Sequence, residues 1–330
     1  MKSSLCADKE EAILYFSAFS VLIVGGSLNL ALLLGIFKRV KLRGTYCFVL
    51  QLVVCDLIVL SVFPIKQWIE GVESFCEVVY GLDILAGTAT TYVILAVNFH
   101  AVSTHNLAVC HHLRELQRRH EHSSNVHDDC ENRENNENND LAGNDDETLK
   151  VRRTLTIDYN RMKRSISAIL PTVTIWLLAT SMALPHVLSL HTPKDITINS
   201  CCSLQRHITH LQSLPFIVMI VFQLAIPSLG FIGTGLIVSS KLMTFQLDLK
   251  KCKLAENVKE ILMLSLILTL SFLFITLHHH LLAFLDFTPT STHALILTIA
   301  NNLMPTIRPF IYLTTLKHLR RATAKLFNIN

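Results

Sequence analysis

Charge is scarce in this chain. Of its 330 residues 16% are Asp, Glu, Lys or Arg, 51% are hydrophobic, and the mean hydropathy is +0.43. That is too little charge to cover a water-soluble surface, and it excludes an ordinary soluble protein. The net charge of +4 is small; it matters through where the lysines and arginines fall, and no nucleic acid is expected as a partner. There is no phosphate loop and no His-x-x-x-His pair within an apolar run. No nucleophile, base and orienting residue stand where one face could assemble them, so no enzymatic activity, cofactor or metal is expected. Internal repeats and paired broken helices are missing too, which counts against a transporter or channel. Nor is a cleavable signal expected, because Met1 to Glu11 is polar and the apolar run Ala12 to Phe37 is too long for a signal core.

What the chain has instead is seven apolar segments: Ala12–Phe37, Tyr46–Ile65, Cys76–His105, Ile166–Leu190, Leu211–Ser240, Val258–Phe287 and Ala294–Thr314. Each is long enough to cross a bilayer core of about 30 Å. The expected fold is therefore an all-α membrane protein, a seven-transmembrane helix bundle. Lys38, Arg39, Lys41 and Arg43 follow the first segment, and Arg114, Arg118, Arg119, Arg152, Arg153, Arg161, Lys163 and Arg164 lie between the third and fourth. Lys250, Lys251, Lys253 and Lys259 lie between the fifth and sixth; the alternate connections carry few positive residues. By the positive-inside rule residues 1–11 are extracellular, 12–314 form the bundle and the C-terminus is cytoplasmic. After the seventh span Leu316, Leu319, Ala322, Leu326 and Phe327 recur at helical spacing among Lys317, Arg320, Arg321 and Lys325. Residues 315–330 thus read as a short amphipathic helix and tail, the helix lying on an anionic inner leaflet. Residues 106–160 form a long second intracellular loop, disordered in part, because Ser123 to Glu147 is rich in Asn, Asp and Glu and has no aromatics.

Arg308 stands out. A charge at the membrane centre costs at least about 2.5–3.5 kcal/mol, so it must face the bundle interior and find a partner. Asp56 in the second span lies at comparable depth, and an Asp56–Arg308 ion pair with Asn29 as hydrogen-bond partner is the economical solution. Asp83 in the third span and His278, His279 and His280 in the sixth are the other ionisable residues to be placed. The cysteines sort by side. Cys76 lies at the outer end of the third span and can bridge to Cys201 or Cys202 in the fourth-to-fifth connection, leaving the other for Cys6.

Taken together these residues resemble the rhodopsin-like (class A) G-protein-coupled receptors. The likeness rests on Asn29 after Gly26, Leu52-x-x-x-Asp56, Trp68-x-x-Gly71 ahead of Cys76, Trp176 followed by Pro185, Pro227, and Pro309-x-x-Tyr312. It covers nearly the whole chain. There are departures. The family's Asp-Arg-Tyr has no counterpart: local similarity places Asn98-Phe99-His100 there, and neither Arg nor Lys occurs from Glu77 to Leu113. The sixth span has neither Trp nor Pro, which removes the family's kink and rotamer switch. Arg308 stands where the family has the asparagine of Asn-Pro-x-x-Tyr, so a guanidinium would occupy the family's sodium pocket.

The resemblance implies a plasma-membrane receptor with its N-terminus outside, binding an extracellular ligand and acting on a heterotrimeric G protein or another intracellular transducer. Alignment places Asp83, Met219, Gln223, His279 and His280 at the ligand pocket. Asp83 would be the counter-charge of a cationic group, or else a hydrogen-bonded buried carboxylate. The fifth span offers Met219 and Gln223 rather than hydroxyls, which favours a peptide such as a neuropeptide over a small monoamine. Asn29, Asp56, Arg308, Pro309 and Tyr312 would form the conformational switch. The missing arginine and tryptophan raise an alternative, a receptor-shaped protein without ordinary G-protein activation.

Overall fold

The computed structural model describes residues 2–39, 44–68, 73–131, 168–188, 218, 220–248, 255–278, 281 and 292–326. Among these residues every element is helical and there is no strand. In chain order they are α1 (Lys2–Arg39), α2 (Thr45–Trp68), α3 (Glu73–Glu131), α4 (Ile169–Leu188), α5 (Ile226–Asp248), α6 (Ala255–Ser271), α7 (Thr292–Thr315) and α8 (Lys317–Leu326). A π-helical stretch, Val221–Ala225, leads into α5, and a second, Phe272–Thr276, continues α6.

Five helices carry windows long and apolar enough to cross a membrane: Phe19–Lys38, Thr45–Val62, Val78–Cys110, Val221–Thr244 and Glu256–Thr276. In α4 the apolar stretch Ile169–Pro185 is shorter. The described residues are thus those of an all-helical protein whose apolar helices suit a multi-pass membrane protein. Its outer surface agrees: Leu170, Leu229, Leu236, Met243 and Phe274 are 68–79% exposed, which suits contact with lipid rather than water. Lipid offers the backbone no hydrogen bonds, so each segment must satisfy its own peptide groups, and helices do this. Threonines are tolerated here because their hydroxyls turn back on their own helix, as Thr91 does to the Gly87 carbonyl (2.9 Å) and Thr180 to that of Trp176 (2.8 Å).

α3 packs against α2, α4, α5 and α6, while α7 packs against α1, α2 and α6. Leu52, Val93, Val97, Phe231, Leu268 and Tyr312 belong to the main core. α8 packs on α1 and α7, burying Leu319 and Ala322 while Arg320, Arg321 and Lys325 stay exposed. Gly44 makes the turn into α2 at φ 55°, a left-handed conformation that favours glycine, and a side chain there would crowd His100 of α3.

Two boundaries differ from the sequence reading. α1 is helical from Lys2, through residues read as a polar extracellular terminus; Leu5, Ala7, Lys9, Glu10, Glu11 and Ala12 are all good helix formers. α3 continues to Glu131, past His105 and into the segment read as a loop, because Leu113-Arg114-Glu115-Leu116-Gln117-Arg118-Arg119 has high helix propensity. The rest of 106–160, and 327–330 beyond α8, lie outside the described residues.

Candidate functional site

The site is built from proline chemistry on α7. Pro309 has no backbone N–H, so the carbonyl one turn earlier, that of Pro305, loses its helical donor. Asn29 of α1 supplies one: its Nδ2 donates to the Pro305 carbonyl at 2.9 Å and to the Gly25 carbonyl of its own helix at 2.9 Å. Close approach of the two helices makes this possible. A Cβ on Gly25 would stand 2.3 Å from Thr306 Oγ1 and 3.0 Å from a Leu60 methyl, so only glycine lets α1, α2 and α7 meet there. Asn29 is completely buried.

The same stretch of α7 brings Arg308 inward. Its Nη1 donates to Oδ1 of Asp56 in a buried ion pair. Asp56 lies roughly 16 Å into α2 at about 1.5 Å per residue, far from either helix end. Asp56 is 0% exposed and Arg308 7%. Two charges removed from water this far are tolerated only because each neutralises the other. Tyr312, one turn beyond Arg308, and Cys55, beside Asp56, are also fully buried, and Pro309 is buried. Asn29, Asp56, Arg308, Pro309 and Tyr312 therefore stand in one region where α1, α2 and α7 meet. The expectation for Asn29 needs correcting: its amide serves the Pro305 carbonyl rather than the ion pair, because the proline-orphaned backbone acceptor lies nearer its face of α7. Asp56 Oδ2, Asn29 Oδ1 and Tyr312 Oη have no hydrogen-bond partner among the described residues.

Proline shapes the α3–α5 seam by the same rule. In the π-helical stretch Ile226 N–H bonds to the Val221 carbonyl, five residues back. In that pattern the donor for the Phe222 carbonyl would be residue 227, which is Pro227. Tyr92 of α3 fills the gap, its hydroxyl donating to the Phe222 carbonyl at 2.7 Å. Next to it Gln223 Nε2 donates to Thr88 Oγ1 of α3 at 2.8 Å, so this candidate pocket residue holds two helices together. Asp83 is half-buried on α3, one to two turns before Thr88. Met219, His279, His280, Cys201, Cys202 and the side chain of Cys76 lie outside the described residues; Cys47, Cys55 and Cys110 are free thiols.

A third polar node was not foreseen. Asn98 of α3, fully buried, donates through Nδ2 to Thr234 Oγ1 of α5 (3.1 Å) and Thr269 Oγ1 of α6 (2.7 Å). Ser265 of α6 donates back to Asn98 Oδ1 at 2.6 Å. The legible signal was an asparagine in a run free of Lys and Arg; its three partners are hydroxyls of a kind common in membrane helices. Near α8, Lys317 pairs with Glu256 of α6, and its N–H bonds Glu260 Oε2 at 3.2 Å. No protein-family model matches the chain, and no curated protein matches it.

Proposed function

We propose that the chain is a seven-helix receptor similar to the rhodopsin-like receptors, with its N-terminus outside the plasma membrane, its α8 end in the cytosol, and α4 and α7 crossing the membrane as its fourth and seventh spans. The observation that carries this reading is the convergence of Asn29, Asp56 and Pro309-x-x-Tyr312, three separate motifs of the resemblance, on one buried region of α1, α2 and α7, where Arg308 pairs with Asp56. The amphipathic α8 directly after α7 supports it. Ligand enters from the outer end, where Asp83 faces a basic group of a peptide, and binding shifts the bundle between states read by a G protein or another transducer. Ligand-dependent nucleotide exchange on a G protein, measured with purified receptor in lipid discs against a library of basic peptides, tests it. Peptide binding without exchange would select the second reading, a receptor-shaped protein that does not activate G proteins. The absence of Arg and Lys from α3 between Glu77 and Leu113 favours that reading. Uptake of a labelled solute by liposomes carrying the protein would overturn both in favour of a transporter.

A further inference from the structure

We propose that Asn98 is the latch that holds the α8 end of α6 against α3 and α5, a conformational restraint made from a neutral amide. The inference rests on the two-state receptor reading and adds to it the group that sets the resting state. Both amide hydrogens of Asn98 are used, one toward Thr234 and one toward Thr269, and its oxygen accepts from Ser265. The threonines spend their own hydrogens inside their helices, Thr234 on the Gly230 carbonyl at 2.6 Å and Thr269 on the Ser265 carbonyl at 2.9 Å. Both N–H groups that cross to them therefore belong to Asn98. The arrangement is also directional, since Ser265 and Thr269 lie one turn apart on the same face of α6.

Position gives the latch its effect. Immediately beyond Thr269, α6 passes into the π-helical stretch Phe272–Thr276, where Leu277 N–H bonds to the Phe272 carbonyl. A π-helical turn is a place where a helix bends, and it supplies a bending point in a helix that has no proline. The latch thus grips the segment Ala255–Ser271 just on the α8 side of its hinge. The other polar tie of that segment, Glu256 and Glu260 to Lys317, is exposed and screened, and contributes little. Replacing Asn98 by alanine strands no charge and leaves both threonine hydroxyls donating as before; of the three partners Ser265 alone loses an acceptor. The bundle therefore remains folded while α6 is released.

The test is a distance measurement on the full chain in phosphatidylcholine nanodiscs. Spin labels sit at the native, exposed Cys110 of α3 and at N257C, an exposed position of α6, in a background whose other reactive cysteines are serine. Wild type gives one short distance. Asn98→Ala adds a longer one, raising the long-to-short ratio on the order of tenfold, as expected for losing two or three interhelical hydrogen bonds in a membrane. Thr269→Val, an isosteric change, gives a smaller shift in the same direction, and N98A/T269V shifts no further than N98A alone. A wild-type distribution in either single variant, or full additivity in the double variant, overturns the latch. Neither ligand nor transducer takes part, so such a result would count against Asn98 and leave the receptor reading to the exchange assay.

Discussion

Neutralising one side of the Asp56–Arg308 pair should damage the protein more than neutralising both. Asp56 is 0% exposed and Arg308 7%, so neither charge has water to fall back on. Removing one partner from a buried pair typically costs about 3–5 kcal/mol because the other is left uncompensated, whereas removing both leaves no stranded charge. Against a stability of about 5–15 kcal/mol, Asp56→Asn and Arg308→Asn should each sharply lower surface expression, and the double variant should regain much of it. The assay is a denaturation midpoint for the four proteins, wild type, two singles and double, in detergent. Strictly additive losses in the double variant would refute the reasoning.

Four further outcomes are expected, two from the geometry and two from the receptor reading. Tyr92→Phe leaves the Phe222 carbonyl unsatisfied and should destabilise the protein by about 1–3 kcal/mol, read as a lower midpoint; an unchanged midpoint would show that the carbonyl has another donor. Gly25→Ala should cost about 1–3 kcal/mol through the clash with Thr306, and Thr306→Ala in the same chain should relieve part of it; absence of relief would show that Leu60 is the rigid neighbour. Asp83→Asn should weaken a cationic peptide ligand on the order of a hundredfold in a binding assay, and unchanged affinity would return Asp83 to a structural role. Peptide mapping under non-reducing conditions should find Cys76 joined to Cys201 or Cys202, and a free Cys76 thiol would remove that bridge.

The ion pair was legible because charge in an apolar run is so costly that few arrangements survive, and Asp56 was a carboxylate at matching depth. Helical spans and the amphipathic α8 were legible for the same kind of reason, a long-range pattern of apolar residues. Hydrogen-bond partners were harder. That Pro309 frees the Pro305 carbonyl follows from sequence, but that Asn29 reaches it depends on Gly25 letting α1 close on α7, which is a matter of helix rotation and packing. The π-helical stretches leave no mark in composition, so the need for Tyr92 at Phe222 could not be read. Asn98 was visible only as an aligned position, because Thr234, Ser265 and Thr269 sit on two other helices whose rotation no periodicity of weakly amphipathic, lipid-buried segments specifies.

The three polar nodes divide the bundle in a way that bears on how it can move. Asn29–Pro305 and Asp56–Arg308 join α1, α2 and α7. Tyr92–Phe222, Gln223–Thr88 and the Asn98 cluster join α3, α5 and α6. Two contacts between the groups, among the described residues, are of another kind. Phe48 of α2 meets His100 of α3 ring to ring at 5.6 Å, and Lys317 meets Glu256 at an exposed surface. Buried hydrogen bonds and charges have fixed partners and switch between discrete arrangements, whereas ring contacts and screened surface pairs tolerate sliding. Within the second group α6 has its π-helical stretch, Phe272–Thr276, just beyond its tie to Asn98, whereas at the α5 end the ties at Phe222 and Gln223 lie inside the π-helical stretch itself. Loss of the Asn98 hydrogen bonds would therefore leave α1, α2 and α7 sewn together, α3 and α5 still joined through Tyr92 and Gln223, and the α8 end of α6 held by apolar packing and a surface ion pair.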